Sequence, residues 1–165
     1  VESFRLFYGM DEQQAWDAVR YYREYFSETG IFENAVYPGT PELLAKLRQG
    51  RKTLGVATSK PEVFAKRILE HYDLDKFFHW VTGSTLDGSL VEKDEVIACA
   101  LKKLGAVNLS VIVMVGDRKH DVAGAKKNGI DSVAVGFGYG SETELRGAEP
   151  TFYARTMDDL SEYLL

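Results

Sequence analysis

Asp117 and Asp121 stand four residues apart where an apolar run, VIVMV at 111–115, gives way through Gly116 to helix-forming residues. A carboxylate directly after a buried strand, and a second in the first turn of the next helix, converge on one point above a sheet. Two further strand ends carry polar groups: Thr58 and Ser59 come after the run LGVA, and Lys93 opens a helical segment. Hydroxyls, one cation and two carboxylates match the ligand set of a hard divalent cation with a phosphate ester. Mg2+ takes carboxylate and water oxygens, while an ammonium and a hydroxyl hold phosphate oxygens. Each group also has a plain structural reading: Thr58 as a strand-end cap, Lys93 as a solvated helix residue, Asp117 as a helix N-cap. Their joint placement at strand ends is what points to chemistry.

The scaffold for these groups begins with helices. Residues 1–29 are helical: VESFRLFYG ends at Gly9, and a longer helix runs from an Asp11 cap to Gly30, with Trp16, Val19, Tyr22 or Arg23, and Phe26 at helical spacing. After a connector with Pro38 and Gly39, Thr40 is placed to cap a helix with Pro41 at its first position and Gly50 past its end. Strand and helix then alternate: KTLGVAT, PEVFAKRILEHYDL, HWVTGS, a helix near 93–104, VIVMV, a helix near 119–128, SVAVGFG, ETELRG and a closing MDDLSEYLL. Such alternation implies parallel strands with crossover helices on both faces, in which ligands gather at the carboxyl ends of the strands.

Composition narrows the function classes. The 165 residues are 45% hydrophobic and 27% charged, enough for one well-cored domain with a small appendage. A net charge of -5, with basic residues dispersed among acids, argues against a nucleic-acid surface. No apolar run approaches the roughly 20 residues of a membrane helix, and the N-terminus lacks a leader pattern, so the chain reads as cytoplasmic. The single Cys99 excludes a disulfide framework and fits an inward helix position. His120, without His or Cys neighbours, reads as solvated, and GFGYGS at 136–141 as a loop rather than a dinucleotide fingerprint. Oligomeric state is not legible.

In this order, VATSK at 56–60, a lysine at 93 and VGDRKHD at 115–121 resemble the second, third and fourth motifs of the haloacid dehalogenase superfamily, and the resemblance covers the chain from about Val36 to its end. YPGTPELLAKL, VATSKPEVFAKRILEHYDLDKFF and GFGYGSETEL look more specifically like the phosphoglycolate phosphatase and 5'-nucleotidase-like branch, and residues 1–33 look similar to the end of that branch's helical cap. The resemblance implies an α/β fold, a Rossmannoid parallel sheet with helices on both faces, over residues 34–165, with a residual helical cap over 1–33. It implies Mg2+-dependent hydrolysis of a small phosphorylated metabolite, a nucleoside monophosphate or a phosphoglycolate-like ester, through an aspartyl-phosphate in the complete protein. Thr58 and the backbone of Ser59 would bind the phosphoryl group, Lys93 would neutralise it, and Asp117 and Asp121 would hold or orient Mg2+. Arg5, Tyr8, Phe137 and Tyr139 are candidates for substrate contacts. A dehalogenase of the same fold works without metal, and the acidic pair argues against it; a non-catalytic phosphate- and metal-binding regulatory module is the alternative from another class.

The family's nucleophile motif, Asp-x-Asp-Gly-Thr on the first strand, has no counterpart here. Asp73 and Asp75 in YDLDKFF have the spacing but lack Gly-Thr, end a helix, and fit a turn before Phe77 and Phe78. The chain is therefore expected to start partway through the cap and to be inactive alone. In the family's sheet the missing strand is central, between the strand ending at Thr58 and the one ending at Gly116. Its loss would uncover several apolar side chains worth about 1.5 to 3 kcal/mol each when buried. A handful of these equals the roughly 5 to 15 kcal/mol that stabilises a domain. The expectation is thus a slot between those two strands, or another polypeptide filling it; direct pairing of the two would defeat the idea.

Overall fold

The structure, a computed structural model, describes residues 1–105 and 108–165. It divides after Ala35 into two compact units. The first holds helices α1 (Glu2–Tyr8) and α2 (Glu12–Glu28). Gly9 ends α1 at φ 64°, and Asp11 starts α2 through a reciprocal cap: Gln14 N donates to Asp11 Oδ1 at 2.8 Å and Asp11 N to Gln14 Oε1 at 3.0 Å. Ala15 and Ile31 are buried in this unit, whereas Trp16 and Tyr22 are exposed.

The second unit alternates strand and helix: α3 (Thr40–Gln49), β1 (Gly55–Pro61), α4 (Glu62–His71), β2 (Trp80–Ser84), α5 (Lys93–Leu104), β3 (Val113–Gly116), α6 (Lys119–Lys127), β4 (Asp131–Val135), α7 (Glu142–Gly147), β5 (Phe152–Ala154) and α8 (Met157–Leu164). Gly39, not Thr40, is the N-cap of α3: its left-handed φ of 84° turns the chain, and Thr40 joins the helix beside Pro41. β5, three residues long, is an element that the alternation pattern does not signal. Cys99 is half-buried on α5. Asp73 takes a positive φ of 55° and pairs with Lys76, and Asp75 opens a short 3-10 turn, so YDLDKFF is a turn. No helix among the described residues is long and apolar enough to cross a membrane.

All strand pairs are parallel. On β4, Val133 and Val135 pack with Leu43 and Leu47 of α3 and Leu160 of α8 on one face, while Ala134 packs with Val122 of α6 and Leu145 of α7 on the other. This two-residue alternation puts helices on both faces and leaves the carboxyl ends of the strands open to the loops. Ile97 of α5 and Ala125 of α6 join Ile130 in a further cluster touching Ala57 of β1 and Met114 of β3.

β1 and β3 do not pair. Among the described residues β1 bonds only β2, and β3 opens a separate three-stranded sheet, β3-β4-β5. Between the two sheets lies a cavity of about 110 Å³, lined by Gly55 and Ala57 on one side, Val113 and Met114 on the other, and roofed by Ile97 and Leu101. Trp80 closes one flank. It fits there because Gly55 has no side chain: a methyl group on Gly55 would meet the indole at 2.5 Å. The buried indole Nε1 has no hydrogen-bond partner among the described residues.

Candidate phosphate and cation site

β1 tracks β2 in regular register from Gly55 to Ala57, and the pairing then shifts, with Pro61 opposite Ser84. Residues 58–60 therefore bulge out of the ladder, which frees them to face a ligand rather than a neighbouring strand. Ser84 Oγ pins the bulge by donating to Ser59 O at 2.8 Å, and Thr58 Oγ1 accepts from Lys60 N at 3.2 Å.

Lys93, the first residue of α5, ties this bulge to the acidic turn. Its Nζ donates to Ala57 O at 3.0 Å and pairs with Asp121 Oδ1 at 2.9 Å. The two side chains are only 15% and 8% exposed, so the pair sits in a poorly solvated setting where each charge depends on the other. Asp121 is engaged through both oxygens: besides the Lys93 contact to Oδ1, its Oδ2 accepts from Asp117 N at 3.1 Å and Arg118 N at 3.0 Å, satisfying amides at the start of α6. Gly116 makes this approach feasible, since a Cβ there would fall inside the Asp121 carboxylate.

Asp117 is held from the opposite side. Tyr139 N donates to its Oδ2 at 2.8 Å and Gly140 N to its backbone oxygen at 2.9 Å. A side chain on Gly138 would collide with the Asp117 carboxylate, and one on Gly140 with its carbonyl, so the loop 136–141 reaches Asp117 only as glycine. No donor among the described residues reaches Asp117 Oδ1. Below this turn, Glu144 Oε1 accepts from Arg118 Nε and from Lys119 N, both at 3.0 Å. The Lys119 amide and the Arg118 guanidinium hold the Glu144 carboxyl below its ordinary value. Tyr37 packs edge-on against Phe137, with ring centroids 5.4 Å apart. Its hydroxyl is pushed above its usual value by burial, and further by the negative charge of Asp117.

Of the residues singled out from sequence, Lys93, Asp121 and Asp117 thus form one hydrogen-bonded group, to which Lys93 joins the strand carrying Thr58 and Ser59. Phe137 and Tyr139 lie on the loop that binds Asp117, Tyr139 with 86% of its surface exposed. Arg5 and Tyr8 belong to α1 of the first unit, where the Tyr8 ring lies 5.9 Å from that of Phe4. His120 is exposed.

Among the described residues no three His, Cys, Asp or Glu side chains come together as a metal cage. Mg2+ does not require one: it keeps several waters and binds through one or two carboxylates plus phosphate oxygens. Asp117, with one carboxylate oxygen held by an amide and the other unclaimed by the described residues, fits that mode. Asp121, with both oxygens in use, fits an orienting role.

Sequence reasoning reads Gly138 and Gly140 only as part of a loop and gives Tyr37 and Glu144 no role of their own. Glu144 carries a signal: it sits three residues after Ser141, the capping-box position. Ser141 Oγ does cap the Glu144 amide at 3.1 Å, but the carboxylate reaches across to α6.

Residues 2–135 match the family model for haloacid dehalogenase-like hydrolases. A Pseudomonas aeruginosa protein named 5'-nucleotidase is 44% identical over 164 residues, 99% of this chain and 74% of its own length. The tyrosine-protein kinase PtkA of Mycobacterium tuberculosis is 41% identical over 92% of this chain and 53% of its length; its solved structure superposes with a TM-score of 0.82. A crystal structure from Clostridium difficile, 44% identical, superposes with a TM-score of 0.95, covering 99% of this chain and 76% of that one. The chain thus spans about half to three-quarters of the length of these relatives.

Proposed function

Because this chain belongs to the haloacid dehalogenase-like hydrolase family, we propose that it carries the phosphate- and cation-binding half of a phosphatase acting on a small phosphomonoester. The observation that carries the reading is the Lys93 ammonium bonded at once to Ala57 O, beside Thr58, and to Asp121 Oδ1, on the turn that presents Asp117. Phosphoryl transfer needs positioned charge more than covalent help from the protein, and this arrangement supplies it. Thr58 Oγ1 and the Ser59 amide would hold phosphoryl oxygens, and Lys93 would neutralise them. Asp117 would hold Mg2+ through its free oxygen while Asp121 keeps the turn in register. The bound Mg2+ supplies charge neutralisation at the ester.

The 165 residues contain no Asp-x-Asp-Gly-Thr string, and turnover through an aspartyl-phosphate would need a carboxylate placed against the phosphoryl group. Nucleoside monophosphates and phosphoglycolate-like esters are the substrate classes to try first, with Phe137 and Tyr139 as contacts. The same missing string favours a second reading, a module that binds phosphate and cation without turnover. The two part in an assay of Mg2+-dependent p-nitrophenyl phosphate hydrolysis, run on these 165 residues and on any longer product that the gene encodes. A phosphatase should show activity that Asp117→Ala abolishes. No activity in any of these proteins, with Asp117→Ala changing nothing, supports the binding module.

A further inference from the structure

Glu144 closes a ring of hydrogen bonds around the candidate cation ligand. Asp117 is bonded to Tyr139 and Gly140, the loop from Gly140 leads to Ser141, Ser141 caps the Glu144 amide, and Glu144 Oε1 returns to Lys119 N and Arg118 Nε. Arg118 is the neighbour of Asp117 in sequence, and its guanidinium feels both acidic residues of the turn as well as Glu144. With its side chain 48% exposed it has room to swing. A guanidinium is the natural partner of a carboxylate and always charged, so an unrestrained Arg118 would compete with a cation for Asp117.

We propose that Glu144 is a positioning residue for the cation site: by anchoring the Arg118 guanidinium and the first amide of α6, it keeps Asp117 open to a divalent cation. The inference rests on the reading of Asp117 as a cation ligand. The Glu144 side chain is 23% exposed, which suits an anchor facing the turn rather than bulk water.

Mn2+ binding to the full protein, monitored by electron paramagnetic resonance with melting curves recorded alongside, tests it. Glu144→Gln, which keeps the shape and removes the charge, should weaken Mn2+ binding about 10-fold, the scale typical of a lost partner around a metal ligand. Arg118→Ala should bind at least as tightly as the parent, and the double variant Glu144→Gln with Arg118→Ala should recover to within about twofold of it. Glu144→Asp, which keeps the charge, should lie between. Unchanged affinity in Glu144→Gln, weakened binding in Arg118→Ala, or a double variant as weak as Glu144→Gln would overturn the positioning role while leaving the cation site standing. A parent protein that binds no Mn2+ would overturn both.

Discussion

Among single residues, the Lys93–Asp121 pair separates structure from chemistry. Both groups are largely out of water, so removing one strands a charge in a poorly solvated setting. Lys93→Met and Asp121→Asn should each lower the unfolding free energy by roughly 3 to 5 kcal/mol, and the double variant by less than their sum, in urea denaturation at neutral pH. Glu144 makes a pH-dependent contribution. Its folded pKa is held below its ordinary value of 4.5 by the Lys119 amide and Arg118. A group shifted in that direction stabilises the fold above its unfolded pKa and loses the effect as pH falls through its folded value. The urea midpoint of the parent should therefore exceed that of Glu144→Gln at pH 7, and the difference should vanish on acidification well below pH 4.5. A difference that persists in acid would show that Glu144 acts by packing alone.

Among the strands and helices, the two-sheet arrangement has a dynamic consequence. β4 is bonded on both edges, to β3 and β5, while among the described residues β1 and β3 each have one unpaired edge facing the cavity between them. Hydrogen exchange should be slowest for Val133 and Ala134 and faster for the amides of β1 and β3 that point into the cavity. Uniform protection across these three strands would contradict the arrangement. The same elements show what a sequence can and cannot carry. α5, at Lys93–Leu104, falls where the sequence indicates a helix near 93–104. β1 begins three residues later than the string KTLGVAT suggests: Lys52 to Leu54 are as strand-like as the residues after them, and only the parallel register with Trp80 fixes Gly55 as the first paired residue. β5 is invisible because three residues carry no period. The acidic turn is legible from local spacing, whereas the reach of Glu144 to α6 joins residues 25 apart and has no local pattern.

For the molecule as a whole, fold and family place this chain among the haloacid dehalogenase-like hydrolases, and its relatives' names span a nucleotidase and a tyrosine kinase. In the proposed reading a cation at Asp117 and a phosphate at Thr58 and Lys93 lie either side of the Lys93–Asp121 pair, so their binding should be coupled, and coupling is reciprocal. The sharpest test is calorimetric titration of Mg2+ and inorganic phosphate into the protein, each alone and each in the presence of the other. Each ligand should tighten the other by the same factor, Asp117→Ala should remove Mg2+ binding, and Lys93→Met should remove phosphate binding. Ligands that bind independently of one another, or that are indifferent to both substitutions, would rule out a shared phosphate and cation pocket.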